Sequence, residues 1–400
     1  MRLHLTFCFL VLVISARPSF GQEATTGKVN PALAKAMQDF VDSGEIAGAI
    51  TLVADNRHML HQHVCGEADI TAHVPLQEDS IFWIASMSKP VTAACVMMLV
   101  DQGKLSLDDP ITRHLPEMSD LKTRDGKPVV ITIRHLLTHT SGMAELKPGE
   151  AYTSRNLTEA AARYAHVDVL FEPGSKWQYS QTCINTAARI VEVISGMPFD
   201  QFVDQKICQP LGMRDTTFYL SDQPPANNSQ SPSQLQRLAK SYRTTVAGFE
   251  EAAIIILAGQ SPAFRGRMPA GNGGLFSTAS DYLRFCQMLL NEGELDGHRI
   301  LSKEAVKTMR TVATGDLVTG FTPGNGWGIG CCVVREPQGV TKSLAPGTFG
   351  HGGAHGTQAW IDPVNNKIYI LMVQRANFPN GDASDVRKAL HDLGSQIPQD

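Results

Sequence analysis

The sequence predicts an α+β protein: an antiparallel β-sheet flanked by helices, with a mostly helical second lobe beside it. Two observations carry that expectation. Strand-like runs occur at both ends of the chain, Ala47–Ala54 and Met59–Cys65 near the start, and Gly328–Val334, Gln358–Ile361 and Lys367–Gln374 near the end. The long stretch between them reads largely as helix, and further helical segments open and close the chain. Strands from both ends can join one sheet, leaving a cleft against the helical lobe as the natural binding site. A single domain is expected over residues 22–400, with the sheet lobe at 30–85 and 320–400 and the helical lobe at 105–290.

The first residues have a different texture. Arg2 precedes an apolar run from Leu5 to Ile14, and small residues follow at Ser15, Ala16, Ser19 and Gly21. This pattern predicts a signal peptide over residues 1–21 and an exported protein, periplasmic or secreted. The run is too short for a comfortable membrane span, which needs about 20 residues. No other stretch is apolar enough to span.

In chain order, Pro31–Ser43 carries Leu33, Ala36, Met37, Phe40 and Val41 at helical spacing. Asp55-Asn56 is a hairpin signal between the first two strands. His58, His61 and His63 lie in or beside the second strand without the carboxylate or thiol partners of a metal set, so they read as ordinary strand histidines. A helix is expected from about Ser86, with Pro90 in its first turn, an apolar stripe of Val91, Ala94, Cys95, Met98 and Leu99, and Gly103 as its stop. Leu105–Pro110 is a turn. Thr132 is expected to cap a short helix ending at Leu137, and His135 and His139 read as structural because no zincin glutamate follows His135. Ala160–Val167 and Cys183–Gly196 are further helices, the first with Thr158 as its expected cap. Ser221–Gln236 is a solvent-exposed loop rich in Pro, Asn, Ser and Gln, and Met268–Gly274 is an irregular loop. Ser280–Asn291 is helical with Asp281 in its first turn, and Asp385–Leu393 closes the chain.

Charged residues make up 18% of the chain and the net charge is -4. That leaves no basic field for nucleic acid. Once the signal is removed, seven of the eight cysteines remain, scattered and without a CxxC. They define no disulfide framework or zinc site and read as buried free thiols. No metal and no cofactor are expected, and the oligomeric state is not legible.

Chemistry concentrates at Ser86-Met87-Ser88-Lys89. On a helix, positions 86 and 89 share a face one turn apart. A deprotonated lysine amine there can take the hydroxyl proton and turn the serine oxygen into a nucleophile. Such spacing arises by chance about once in a chain this long, so its weight depends on partners. Tyr179, just after the Pro173-Gly174 turn, is a candidate to share the proton work, and a lysine ammonium beside it would lower its pKa from about 10.

Six segments occur in order: SMSK, LDDP, HLLTHTSG, FEPGSKWQYS, GGLFSTASDYLRF and GHGGAHGT. Together they resemble the serine β-lactamase and penicillin-binding-protein superfamily, in its class C-like branch with D-peptidases and family VIII carboxylesterases. The resemblance covers residues 30–375 and implies a β-lactamase/transpeptidase-like fold without a cofactor. It implies Ser86 as the acylated nucleophile, Lys89 as its partner and Tyr179 as base and proton shuttle. Gln181 closes the second motif, where asparagine is usual. His351-Gly352-Gly353 matches the third motif, on the strand that edges the cleft. The N–H groups of Ser86 and Ala354 would form the oxyanion hole. Gln181 for asparagine and His351 for lysine both depart from a standard β-lactamase, since histidine is largely neutral at pH 7.

The expected function is therefore an exported serine hydrolase acting on an ester or amide bond of a small molecule or peptide. The alternatives are a β-lactamase or D-Ala-D-Ala carboxypeptidase, or a non-hydrolytic penicillin- or peptidoglycan-binding sensor. An α/β-hydrolase is disfavoured because the chain contains no GxSxG elbow. Thr138–Gly142 and Asn325–Gly330 read as frame. His355 reads equally as a cleft-lining or a packing residue.

Overall fold

A computed structural model describes residues 28–399 apart from Pro148 and Asn227. The expected signal peptide and Cys8 lie outside the described residues. Among the described residues, no helix is long and apolar enough to cross a membrane.

The first helix, α1 (Pro31–Asp42), starts where Pro31 supplies a helical φ and the Asn30 side chain accepts from the N–H of Leu33. Strands β1 (Gly48–Ala54) and β2 (Met59–Asp69) form the expected hairpin, and β3 (Val74–Pro75) extends it. The C-terminal strands are β4 (Asn325–Trp327), β5 (Cys332–Val334), β6 (Phe349–Gly352), β7 (Gln358–Asp362) and β8 (Lys367–Met372). They join β1 through β8 in one antiparallel sheet of order β4-β5-β6-β7-β8-β1-β2-β3. The two ends of the chain thus share a sheet, as the distribution of strand-like runs implied.

Period-2 alternation divides this sheet between two cores. Ile50, Leu52, Ile361, Ile368, Ile370 and Met372 face the large core shared with the helical middle of the chain. Ala49, Val53, Trp360, Tyr369 and Leu371 face the other way, against Leu33 and Met37 of α1 and Val386 and Leu390 of the final helix (Asp385–Gly394). Strands buried on both faces read as apolar runs because neither face meets water.

The middle of the chain carries α2 (Ser88–Asp101), α3 (Ile133–Leu137), α4 (Leu157–Tyr164), α5 (Gln181–Ser195) and α6 (Ala279–Leu290). The α2 helix is buried along nearly its whole length, so whatever stands at its head is held rigidly. Thr132 caps α3 as expected, accepting from His135 N while His135 Nδ1 accepts from Thr132 N. The cap of α4 is Asn156, not Thr158; asparagine is the stronger cap and Thr158 falls inside the first turn. The α5 helix opens two residues earlier than its apolar pattern suggests, because Ser180 caps it through Cys183 N.

The expected single strand Gly328–Val334 is instead a tight hairpin between β4 and β5. Gly330 turns the chain there at φ +71°, packed so closely on Ala93 of α2 that a side chain would collide. Ser221–Gln236 is irregular and largely exposed, as expected. The cysteines from Cys65 to Cys332 are free and buried.

Candidate active site

Ser86 sits in a 3-10 turn, Ala85–Met87, that feeds directly into α2. Ala85 adopts φ +46°, a left-handed conformation that a Cβ-bearing residue takes at a cost of about 1–2 kcal/mol. The surroundings hold it there. Ser88 Oγ donates to the Ala85 carbonyl at 2.7 Å and accepts from Leu275 N at 3.1 Å. Trp83 Nε1 donates to the Gly273 carbonyl at 2.7 Å. The Ser86 turn is thereby stitched to the irregular 268–274 loop, which the sequence marked only as a loop.

Lys89 projects back from the first turn of α2 and is 0% exposed. Its Nζ lies 2.9 Å from Ser86 Oγ, 2.9 Å from Gln181 Oε1 and 2.6 Å from the Asn272 carbonyl oxygen. Burial lowers the Lys89 pKa well below its ordinary 10.5, and the Glu145 carboxylate opposes that only in part.

Tyr179 precedes α5 and stands over the same amine, with Lys89 Nζ 4.6 Å from its ring centroid. Its hydroxyl is 3.3 Å from His351 Nε2. Burial raises the Tyr179 pKa well above 10, a contact with Ser86 opposes this, and the Asp382 carboxylate adds to it. The expected lowering by a lysine ammonium is therefore reversed. The same desolvation that penalises a phenolate also disfavours the lysine ammonium that was expected to lower it.

His351 lies on β6, paired with Ala359 of β7. Its Nδ1 is 2.6 Å from the Gly352 carbonyl, which fixes the proton on Nδ1 and leaves Nε2 as an acceptor for Tyr179. Burial and the nearby Lys89 push its pKa down to about 3, so the imidazole is neutral. Gly353 follows against the Ser86 turn: a Cβ there would stand 2.7 Å from the Ile84 carbonyl oxygen. Ala354 is at the exposed tip of the turn closed by Gly353 N–H to Thr357 O at 2.7 Å and Gly356 N–H to Gly353 O at 2.9 Å.

Ser86, Lys89, Tyr179, Gln181 and His351 thus converge from the head of α2, the start of α5 and β6, with Gly352 closing that strand and Gly353 just beyond it. Several partners carried no local signal. Asn272 donates to Gln181 Oε1 at 2.7 Å, and its own N–H donates to Asn185 Oδ1 at 3.1 Å. Glu145 accepts from Gln181 N at 2.6 Å and from Thr182 Oγ1 at 3.1 Å, pinning the N-terminus of α5. His139 and Trp327 came from segments read as frame, and they frame the tyrosine: ring centroids lie 4.5 and 5.9 Å from that of Tyr179. Phe321 adds an exposed aromatic face at 5.0 Å. His355 settles as a packing residue, 2.8 Å from Ser241 Oγ and edge-on to Trp83 at 4.7 Å.

The Beta-lactamase family profile matches residues 33–393. Protein Rv1367c of Mycobacterium tuberculosis (strain ATCC 25618 / H37Rv) is 36% identical over 369 residues, covering 84% of this chain and 88% of its own. Esterase EstB of Burkholderia gladioli is 31% identical over 356 residues, covering 83% and 86%. Among solved structures, that of EstCE1, a hydrolase with promiscuous acyltransferase activity, is similar with a TM-score of 0.76 at 26% identity, covering 92% of this chain and 98% of its own.

Proposed function

This chain belongs to the beta-lactamase family, and we propose that it is an exported serine hydrolase that cleaves an ester or amide bond through an acyl-Ser86 intermediate. The contacts of Lys89 Nζ carry this reading. Two of its three neighbours, Gln181 Oε1 and Asn272 O, are carbonyl oxygens and can only accept. A neutral amine has two N–H donors and one lone pair. If both donors of the neutral amine stay on the carbonyls, its lone pair is left for the Ser86 hydroxyl, whose oxygen lies 2.9 Å from Nζ. Burial, which lowers the lysine pKa, favours the neutral form.

In the acylation step, Lys89 takes the Ser86 proton as Oγ attacks the substrate carbonyl carbon. The carbonyl electrons collect on oxygen, and the N–H groups of Ser86 and Ala354 would receive that charge. The first amides of a helical turn lack intrahelical acceptors, which suits the Ser86 N–H to this role. Losing one such donor costs about 3–4 kcal/mol of transition-state stabilisation. Collapse expels the alcohol or amine, which takes a proton from Tyr179, and Lys89 restores the tyrosine proton. Water then attacks the acyl carbon and loses a proton to the same pair, and as the Ser86 Oγ–acyl bond breaks the acid is released and that proton returns to Oγ. His351 holds the tyrosine hydroxyl by accepting through Nε2.

Ser86→Ala tests the assignment. The purified protein should be labelled by a fluorophosphonate and should hydrolyse p-nitrophenyl butyrate, whereas the variant should do neither. Equal labelling of both proteins refutes the nucleophile. A chromogenic cephalosporin and a D-Ala-D-Ala peptide assayed alongside rank the substrate classes, and ester turnover is expected to lead. Export is tested by the N-terminus of the secreted or periplasmic protein, expected near residue 22.

A further inference from the structure

The third-motif strand offers a substrate no positive charge. His351 is 4% exposed, commits Nδ1 to the Gly352 carbonyl and is neutral. A carboxylate adjoins the strand instead. Asp382 presses its side chain against Gly352, where any Cβ would collide with it, and accepts from Gln358 Nε2 at 3.1 Å. It lines a narrow crevice of about 10 Å³ with Phe321, Trp327, His351 and Gly352. Its balancing cation is set back: Arg387 is 0% exposed, stacked 4.1 Å above the Trp360 ring, with Nη1 3.8 Å from Asp382 Oδ1 and 2.5 Å from the Asp382 carbonyl oxygen. Asp382 itself keeps 23% of its side chain in contact with solvent. The pair therefore has its positive end inside the protein and its negative end partly open to solvent. After burial, the main cause, the Asp382 carboxylate adds to the upward push on the Tyr179 pKa.

We propose that Asp382 is a specificity-determining residue that selects against leaving groups carrying a carboxylate and favours uncharged or cationic ones. This rests on the ester-hydrolase reading of the site. A carboxylate brought alongside Gly352 meets Asp382 across a few ångströms of partly desolvated space. At an intermediate effective dielectric such a like-charge approach lowers kcat/KM by about fivefold to tenfold. A trimethylammonium group in the same place meets Asp382 and the exposed face of Phe321, both of which attract it.

The test uses butyrate esters of three phenols of matched shape: 3-hydroxybenzamide, 3-hydroxybenzoate and 3-hydroxyphenyltrimethylammonium. Rates are normalised to alkaline hydrolysis of each ester. The unmodified protein should rank cationic at or above neutral, and neutral above anionic by about fivefold to tenfold. In Asp382→Asn, which keeps an acceptor for Gln358, the anionic-to-neutral ratio should rise by a similar factor. Salt at about 0.5 M should compress the ratio in the unmodified protein, and this arm decides the matter if the variant does not fold. Equal ratios in both proteins, or a ratio in the unmodified protein that salt leaves untouched, overturn the role of Asp382. Ser86-dependent turnover without charge discrimination removes this inference alone. Absence of Ser86-dependent turnover of all three esters removes the ester-hydrolase reading and this inference with it.

Discussion

Asn272 Nδ2 donates to Gln181 Oε1 at 2.7 Å while the Asn272 main-chain oxygen accepts from Lys89 at 2.6 Å. One residue of an irregular loop therefore fixes both the proposed base and the amide that steadies it. Removing the Asn272 side chain leaves the Gln181 carbonyl with Lys89 alone and frees the amide to rotate. Asn272→Ala is expected to lower kcat by roughly tenfold to a hundredfold, in line with a lost buried hydrogen bond of about 1–3 kcal/mol. KM should change little. Steady-state kinetics on p-nitrophenyl butyrate separate the two, and a change confined to KM would place Asn272 in substrate binding instead.

Lys89 makes a pH prediction for activity and another for stability. Activity should rise with pH as Lys89 loses its proton, with a midpoint well below 10.5, and Lys89→Arg should be inactive because a guanidinium keeps its proton. Between the folded-state pKa and 10.5 the unfolded chain binds the proton and the folded one does not, so the stability contribution of this group increases with pH across that window. Compared with Lys89→Met, the unmodified protein should gain in thermal stability as pH approaches 10.5. Parallel melting curves with a constant offset would show that Lys89 is charged in the folded state.

Asp281 behaves in the opposite sense. It is 8% exposed at the start of α6, accepts from Asp215 N at 2.7 Å and Thr216 Oγ1 at 3.0 Å, and burial pushes its pKa up to about 6. Between its ordinary 3.8 and about 6 the folded state holds the proton more tightly, so stability falls as pH rises through that window. Asp281→Asn removes the titration, so its melting temperature relative to the unmodified protein should climb between those two pH values and level off above. A relative climb that continues well above pH 6 would exclude Asp281 as its source.

The parts of this molecule legible in its sequence are those written in local chemistry. Helix faces at Pro31–Ser43 and Asp385–Leu393 follow from periodicity, and the Asp55-Asn56 turn from its residue types. Ser86, Lys89 and Tyr179 stood out by spacing and by resemblance. The supporting partners did not, because their roles exist only across distance: Asn272 is 183 positions from Lys89 and 91 from Gln181. Asn272, Glu145 and Trp327 are ordinary residues in loops or short strands until the fold folds them onto the site. The Thr158 cap failed because a stronger capping residue stood two positions upstream, and the Gly328–Val334 strand failed because a glycine packed on α2 turns the chain. The direction of the tyrosine shift failed for a different reason, since burial is a property of the assembled protein.

The interior cysteines make the folded molecule its own clock. Cys183 lies in α5, Cys286 in α6 and Cys332 in the sheet, all buried, and burial pushes the Cys183 thiol up to about 12. Thiol reagents act on exposed thiolates, so the closed protein is silent to them and each captured label records one excursion into an open form. Helical lobe and sheet carry separate reporters. Comparing their labelling rates tells whether the two halves open as one cooperative unit or part company first along the cleft.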